Sequence, residues 1–389
     1  MLSVSQCAPQ KIRKGQSEKM KFTADKKELE RSILPVSYGV APKNTDPLLE
    51  GIFLEAKDGL LTLCSYDREK GIRTTLEADI QREGKIVIDA QKTAAIIHSL
   101  PNGPVTIEAD ENLILKIHTD EADFQISGKD ASNFPGLPDV HGDLDFTLQQ
   151  NKLRAIINRT LFAVSQDDSK PVYTGSLVEL KGNSMRITAL DGFRVSMRCE
   201  EGLTEREDLD LRFIMPGKAQ NDLLRLTNDS DQPISVNMAR KHIIFTFDNI
   251  YFITRLLEGD FLDYRKKIPP QFAVKARINT ARFIDSIERA ALIIDERIKS
   301  SIRLYFDGGV VKISVSTMLG KFKDEFAYES VGGEQAPLEI GFNHKILLDA
   351  LRAVNEEYIT VTLSHTLGPM LITPDEQAEG DPERYFYMV

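Results

Sequence analysis

This chain repeats itself three times, at a period of about one domain, and that restricts its fold more than any other feature. Phe22-Thr23 is followed by Leu29 and Ile33, and Phe146-Thr147 by Leu153 and Ile157 at the same spacings, 124 residues further on. A weaker third copy sets Ala276-Arg277 ahead of Phe283 and Ile287. Each copy reads as a short strand running into a helix with one apolar stripe. The clearest is 150–165, with Leu153, Ile156, Ile157, Leu161 and Val164 on one face. A second strand-then-helix unit also recurs: 85–88 leads into 90–100, 212–215 into 217–227, and 338–340 into 343–354. Lys92, Lys218 and Lys345 fall at the same place in these units, 126 and then 127 residues apart.

Most of the remaining sequence alternates apolar and polar residues, the signature of half-buried strands, as in Val311-Lys312-Ile313-Ser314-Val315 and Ile359-Thr360-Val361-Thr362-Leu363. Turn signals such as Asp58-Gly59 and Asp307-Gly308-Gly309 separate the strands. Proline-bearing segments, Asn133-Phe134-Pro135 and Ile268-Pro269-Pro270, close the first two copies. The expectation is an α+β fold of three equivalent domains, 20–141, 142–270 and 271–389. Residues 1–19 are polar and outside the repeat, so they are expected to be a disordered extension.

No stretch is apolar enough to span a membrane, and Lys11, Arg13 and Lys14 have no apolar run behind them as a secretory signal would require. Cys7, Cys64 and Cys199 are odd in number and far apart, which excludes a disulfide framework and fits a reducing cytoplasm. The six histidines are scattered, and no phosphate loop, nucleophile elbow or zinc-ligand spacing occurs, so no metal, cofactor or catalytic residue is expected. Asp67 and Asp191 are the most catalytic-looking acids, but their equivalent repeat positions read more simply as turn residues.

The net charge of −10 speaks against a polyanionic partner only if charge is evenly spread. It is not: the six helical segments carry +7, leaving −17 for the rest of the chain's −10. Four helices bear a basic pair two turns apart: Lys152/Arg159, Lys218/Arg225, Arg282/Arg289 and Lys345/Arg352. Helices lining one common surface would make that surface basic, suited to phosphates rather than bases. A solvated helix face is the plainer reading of any single pair.

Met20-Lys21-Phe22-Thr23, Asn133-Phe134-Pro135, 188–194 (Thr-Ala-Leu-Asp-Gly-Phe-Arg), Phe261-Leu262-Asp263-Tyr264-Arg265 and 339–343 (Glu-Ile-Gly-Phe-Asn) together carry a resemblance. Over about 20–389 the chain resembles the beta subunit of bacterial DNA polymerase III, the sliding-clamp family. The resemblance implies three domains with paired helices inside and antiparallel sheets outside, two copies closing head to tail as a six-domain ring around duplex DNA. It implies a non-enzymatic processivity factor, held by topology and by weak phosphate contacts.

It also implies a cleft where the replicative polymerase, the clamp loader and repair polymerases dock short linear motifs. By matched position that cleft holds Tyr173, Leu190, Gly192, Phe193, Arg194, Val195, Leu262, Lys266, Ile298, Asn343, Ile346, Leu367, Pro369, Phe386, Tyr387 and Met388. Leu262 and Lys267 depart from the family pattern, and the chain stops at Val389 without the longer tail of some members. The subunit interface would set Phe124 and Ile126 against Leu292 and Ile293, while Lys43, Lys92 and Lys170 would join the helix pairs in facing DNA. Two other readings make different predictions: a peptide-binding scaffold without a DNA role, and a nucleic-acid enzyme using Asp67 or Asp191.

Overall fold

The computed structural model describes residues 18–41, 46–294, 300–334, 337–375 and 385–389. Of the expected 1–19 extension, 1–17 lie outside these, and the first strand begins at Glu18.

One order of elements is used three times. The first copy runs β1 (Glu18–Asp25), α1 (Lys26–Ser37), β2 (Gly51–Lys57), β3 (Leu60–Tyr66), β4 (Lys70–Glu77), β5 (Asp79–Arg82), β6 (Gly84–Asp89), α2 (Ala90–Ser99), β7 (Pro104–Asp110), β8 (Ile114–His118) and β9 (Asp123–Ser127). The second runs β10 (Leu144–Gln149), α3 (Gln150–Asn158), β11 (Gly175–Lys181), β12 (Ser184–Leu190), β13 (Val195–Glu200), β14 (Asp210–Pro216), α4 (Gly217–Leu226), β15 (Pro233–Met238), β16 (His242–Phe247) and β17 (Ile250–Arg255). The third runs β18 (Val274–Asn279), α5 (Thr280–Ala291), β19 (Ile302–Asp307), β20 (Val310–Thr317), β21 (Gly320–Ala327), β22 (Glu329–Gly332), β23 (Leu338–Phe342), α6 (His344–Ala353), β24 (Tyr358–Leu363), β25 (Met370–Pro374) and β26 (Tyr385–Met388). Among the described strands the copies differ by the short strand β5 or β22, which pairs with the opening strand of the first and third copies.

The chain divides into two units: residues up to Asp139 with Phe245–Ile253, and Val140–Ile244 with Thr254–Val389. In the first, β5-β1-β7-β8-β9 form one sheet, and β4-β3-β2-β6 are neighbours in another. The α1 stripe expected from sequence, Leu29 and Ile33, is buried, and Val36 joins it. Burying each of these contributes about 1.5–3 kcal/mol. Hydroxyls fasten the helix to the sheet: Ser65 Oγ donates to Val36 O at 2.6 Å and Thr74 Oγ1 to Ser32 O at 2.9 Å.

In the second unit, nine strands run in the order β14-β11-β12-β13-β26-β25-β24-β18-β22, and β21-β20-β19-β23 form a separate four-stranded sheet. The second and third copies are therefore joined through backbone. β26 lies antiparallel to β13, with Val195 opposite Met388, and to β25, with Leu371 opposite Met388.

Side chains start four of the six helices in the usual way, each accepting a backbone N–H of the first turn: Asp25, Asp89, Asn279 and Asn343. The helix expected over 150–165 is shorter than its apolar pattern. It ends at Asn158, Thr160 donates its hydroxyl back to Ile156 O, and Leu161–Ala163 continue as a 3-10 turn. Apolar spacing extends past the end because the turn also packs on the core.

Candidate functional site

The hairpin turn between β12 and β13 is the centre of the site. Asp191 Oδ1 accepts the backbone N–H groups of Phe193 at 2.9 Å and Arg194 at 3.0 Å. Gly192 adopts φ +96°, which a side chain would resist, and the tight turn drives Phe193 outward to 78% exposure. Asp67 does the same between β3 and β4, accepting Glu69 N at 2.9 Å and Lys70 N at 2.7 Å. Both acids are thus turn formers, which removes the geometric basis for a catalytic reading of either. Among the described residues no cluster of His, Cys, Asp and Glu could hold a metal ion.

Arg194 ties this turn to the third copy. Its Nε donates to Asp191 Oδ2 at 2.8 Å, one terminal nitrogen to Asp349 Oδ2 at 2.7 Å, and the other to Phe162 O at 2.7 Å. Burial works against its charge, but the Asp349 hydrogen bond, with Tyr387 and Asp191, holds the guanidinium above its ordinary pKa. Its Cζ lies 5.6 Å from the centroid of the Phe162 ring, which itself stacks on Tyr387 at 5.1 Å between centroids.

Strand register collects the apolar tips around this node. Val195 and Leu371 both face Met388, so the turn carrying Phe193 and the turn carrying Leu367 (92% exposed) flank one end of β26. Leu262, also exposed, follows Phe261, whose ring meets Tyr173 edge-on at 5.7 Å. Tyr173, Leu190, Val195, Phe261, Phe386 and Met388 belong to one cluster beneath. Pro369 and Ile346 are partly buried, and the Tyr387 hydroxyl donates to Ile346 O at 3.3 Å. Gly192 is exposed, and Lys266, also exposed, pairs with Asp263 at 3.4 Å.

Several residues expected at the cleft are buried. Phe386, Tyr387 and Met388 are strand residues buried between β13 and β25. Leu190 is buried in the same way, and the Asn343 side chain caps α6 through Lys345 N. Ile298 lies outside the described residues.

The cations expected to face DNA divide into two groups. Lys92, Lys170, Lys218 and Arg225 are exposed. Lys152, however, donates to the carbonyls of Glu201 and Gly202 at 3.1 and 2.9 Å. Arg159 turns toward Glu356 at 3.5 Å and the Tyr385 ring at 5.9 Å, and is mostly buried. Arg282 and Arg289 share Asp324 of β21 at 2.8 and 2.6 Å, and Arg352 pairs with Glu288 at 2.6 Å. A helical wheel gives the direction of a side chain but not the carboxylate waiting on a neighbouring strand. Burial would raise the Asp324 pKa, yet hydrogen bonds from Arg289, Ser286 and Arg282 hold it well below the carboxylate range. Lys345 is exposed on α6, and Lys43 lies outside the described residues.

At the expected interface, Phe124 and Ile126 are half-buried on β9, the last strand of its sheet. Leu292 is 82% exposed just past α5, and Ile293 packs partly on the third core. Thr317 Oγ1 donates to Ile293 O at 2.8 Å, connecting this segment to the β20–β21 turn, whose Met318 and Leu319 are 93% and 68% exposed.

An apolar tip over a buried cluster, exposed helix cations and unpaired sheet edges define a binding protein assembled from repeats. Family models match it in three consecutive parts of the DNA polymerase III beta subunit: the N-terminal domain at 20–138, the central domain at 147–263 and the C-terminal domain at 265–382. The beta sliding clamp of Staphylococcus epidermidis is 30% identical, over 92% of this chain and 96% of that protein. The crystal structure of the Bacillus subtilis DNA polymerase sliding clamp is 26% identical with TM-score 0.87, covering 95% of this chain and 98% of the other. A Pseudomonas aeruginosa sliding clamp bound to griselimycin is 28% identical with TM-score 0.83, at the same coverage. The chain belongs to the DNA polymerase III beta subunit family, the bacterial beta sliding clamps. It is a DNA sliding clamp, a processivity subunit rather than an enzyme.

Proposed function

We propose that two copies of this chain close head to tail around duplex DNA and carry the replicative polymerase, clamp loader and repair polymerases through linear motifs. The three domains would meet near 141 and 270. The observation that supports the ring is the pair of strands that end their sheets among the described residues, β9 on the first copy and β21 on the third, each beside exposed or half-buried apolar residues. Joining them would satisfy the edge backbone groups of both. The docking cleft would lie around Phe193, Leu262 and Leu367, with Arg194 fixing the turn and an extended peptide inserting aromatic or leucine side chains. Exposed Lys92, Lys170, Lys218, Arg225 and Lys345 would supply diffuse phosphate contacts without base readout. Cytoplasmic residence fits the free cysteines Cys64 and Cys199. Among the described residues no helix is long and apolar enough to cross a membrane.

The test is retention on DNA. Loaded protein should stay on a closed circle and run off once the circle is cut; retention indifferent to linearisation refutes encirclement. Internal pairing of Arg282, Arg289 and Arg352 favours a second reading, a docking scaffold without DNA. In that case reversing charge at Lys218 and Arg225 would leave DNA association unchanged.

A further inference from the structure

Two strand edges of this chain are built as complements. Along β9, Asp123, Gln125 and Ser127 are exposed while Phe124 and Ile126 are half-buried. Along β21, Lys321, Lys323 and Glu325 are exposed, with Phe322 half-buried between the lysines. Each strand is the last of its sheet. Acid gathers at the start of one, where Asp120 and Glu121 precede Asp123, and base at the start of the other.

An antiparallel union keeps apolar faces together only when the two strands are in phase, so candidate registers differ by two residues. Setting Asp123 opposite Lys323 puts Phe124 opposite Phe322, Gln125 opposite Lys321 and Ile126 opposite Gly320, and uses most of β9. Moving two residues one way sets Asp123 against Glu325, and Phe124 against Asp324, whose carboxylate is already fastened to Arg282 and Arg289. Moving two the other way keeps a lysine against Asp123 but runs β9 off the end of β21 after Phe124. Only the first register combines an opposite-charge pair, an aromatic pair and a long ladder.

We infer that Asp123 of one copy and Lys323 of the next form the charge contact that sets register and partner choice at the seam between copies. The inference rests on the head-to-tail reading. Both groups are available for it: Asp123 is exposed although His118 Nδ1 lies 2.6 Å from its Oδ1, and Lys323 has no ion-pair partner among the described residues. Neither side chain supports a core, so substitution leaves the fold intact.

The test uses Asp123→Lys and Lys323→Asp in separate full-length proteins, with dimerisation followed by sedimentation. A closed pair contains the seam twice, so each variant alone places like charges at both seams. Each homodimer should be about tenfold weaker or more. Mixed together, the variants form a heterodimer with one original and one reversed pair, and dimer should return to near the wild-type level. Wild-type dimer should weaken as salt rises. Variants that dimerise as tightly as wild type, or a mixture no tighter than its parts, overturn the inference. A wild-type protein that stays monomeric at micromolar concentration overturns the ring reading itself.

Discussion

Arg194 offers the sharpest test of how the turn between β12 and β13 is held. Arg194→Ala removes hydrogen bonds to Asp191, Asp349 and the Phe162 carbonyl, all between 2.7 and 2.8 Å. Hydrogen bonds to charged groups contribute about 1.5–3 kcal/mol each when desolvated. Arg194 and Asp191 are mostly buried, but the Asp349 side chain is 43% exposed, so screening reduces that arm to about 1 kcal/mol. The full substitution should then cost about 4 kcal/mol or more, with about 1 kcal/mol of coupling to Asp349. Urea unfolding of wild type, Arg194→Ala, Asp349→Ala and the double variant isolates the coupling. Additivity within about 0.3 kcal/mol would show that this ion pair does not fasten the turn to α6. Arg194→Lys keeps the charge but reaches one partner at a time, so it should recover less than half of the loss.

Other outcomes follow from the same geometry. Asp324→Asn should cost about 1–3 kcal/mol at neutral pH by loosening Arg282, Arg289 and Ser286. Because folding depresses the Asp324 pKa, its contribution is complete above the unfolded value of about 3.9 and fades as pH falls through the folded value. The gap between wild type and variant should therefore narrow in acid unfolding experiments below that point, and a gap constant into strong acid contradicts the assignment. Phe193→Ala should change stability by less than about 0.5 kcal/mol yet weaken a labelled leucine- and phenylalanine-containing peptide about tenfold by anisotropy; unchanged affinity would move the docking site elsewhere. Lys218→Ala with Arg225→Ala should flatten the salt dependence of DNA association by up to about two counterions, and an unaltered slope would remove both from the DNA contact.

The helix stripes were legible because Leu29, Leu153 and Phe283 recur with their partners at helical spacing, and a helix with one buried face must show that period. β26 was not. Phe386 and Met388 enter the core of the second copy while Tyr385 and Tyr387 enter that of the third, so both faces are covered and no alternation remains to be read. The resemblance implies a site at Phe386, Tyr387 and Met388; only the strand pairing shows that all three are buried within a sheet. Charge was half legible. Lys218 and Arg225 point outward as the helical wheel implies, but the grip of Asp324 on Arg282 and Arg289 joins residues 35 and 42 positions apart and leaves no local signal.

Asp67, Asp191 and Thr317 each accept the N–H two residues ahead, closing equivalent turns in the three copies. Closure depends on that first residue, which leaves the tip free to vary. The first copy shows Arg68 and Glu69 there, the second Phe193, the third Met318 and Leu319. A triplicated chain has in effect three interchangeable sockets, whose occupants can change without altering how the hairpin folds. Separate tasks can then be distributed among otherwise redundant copies, one side chain at a time.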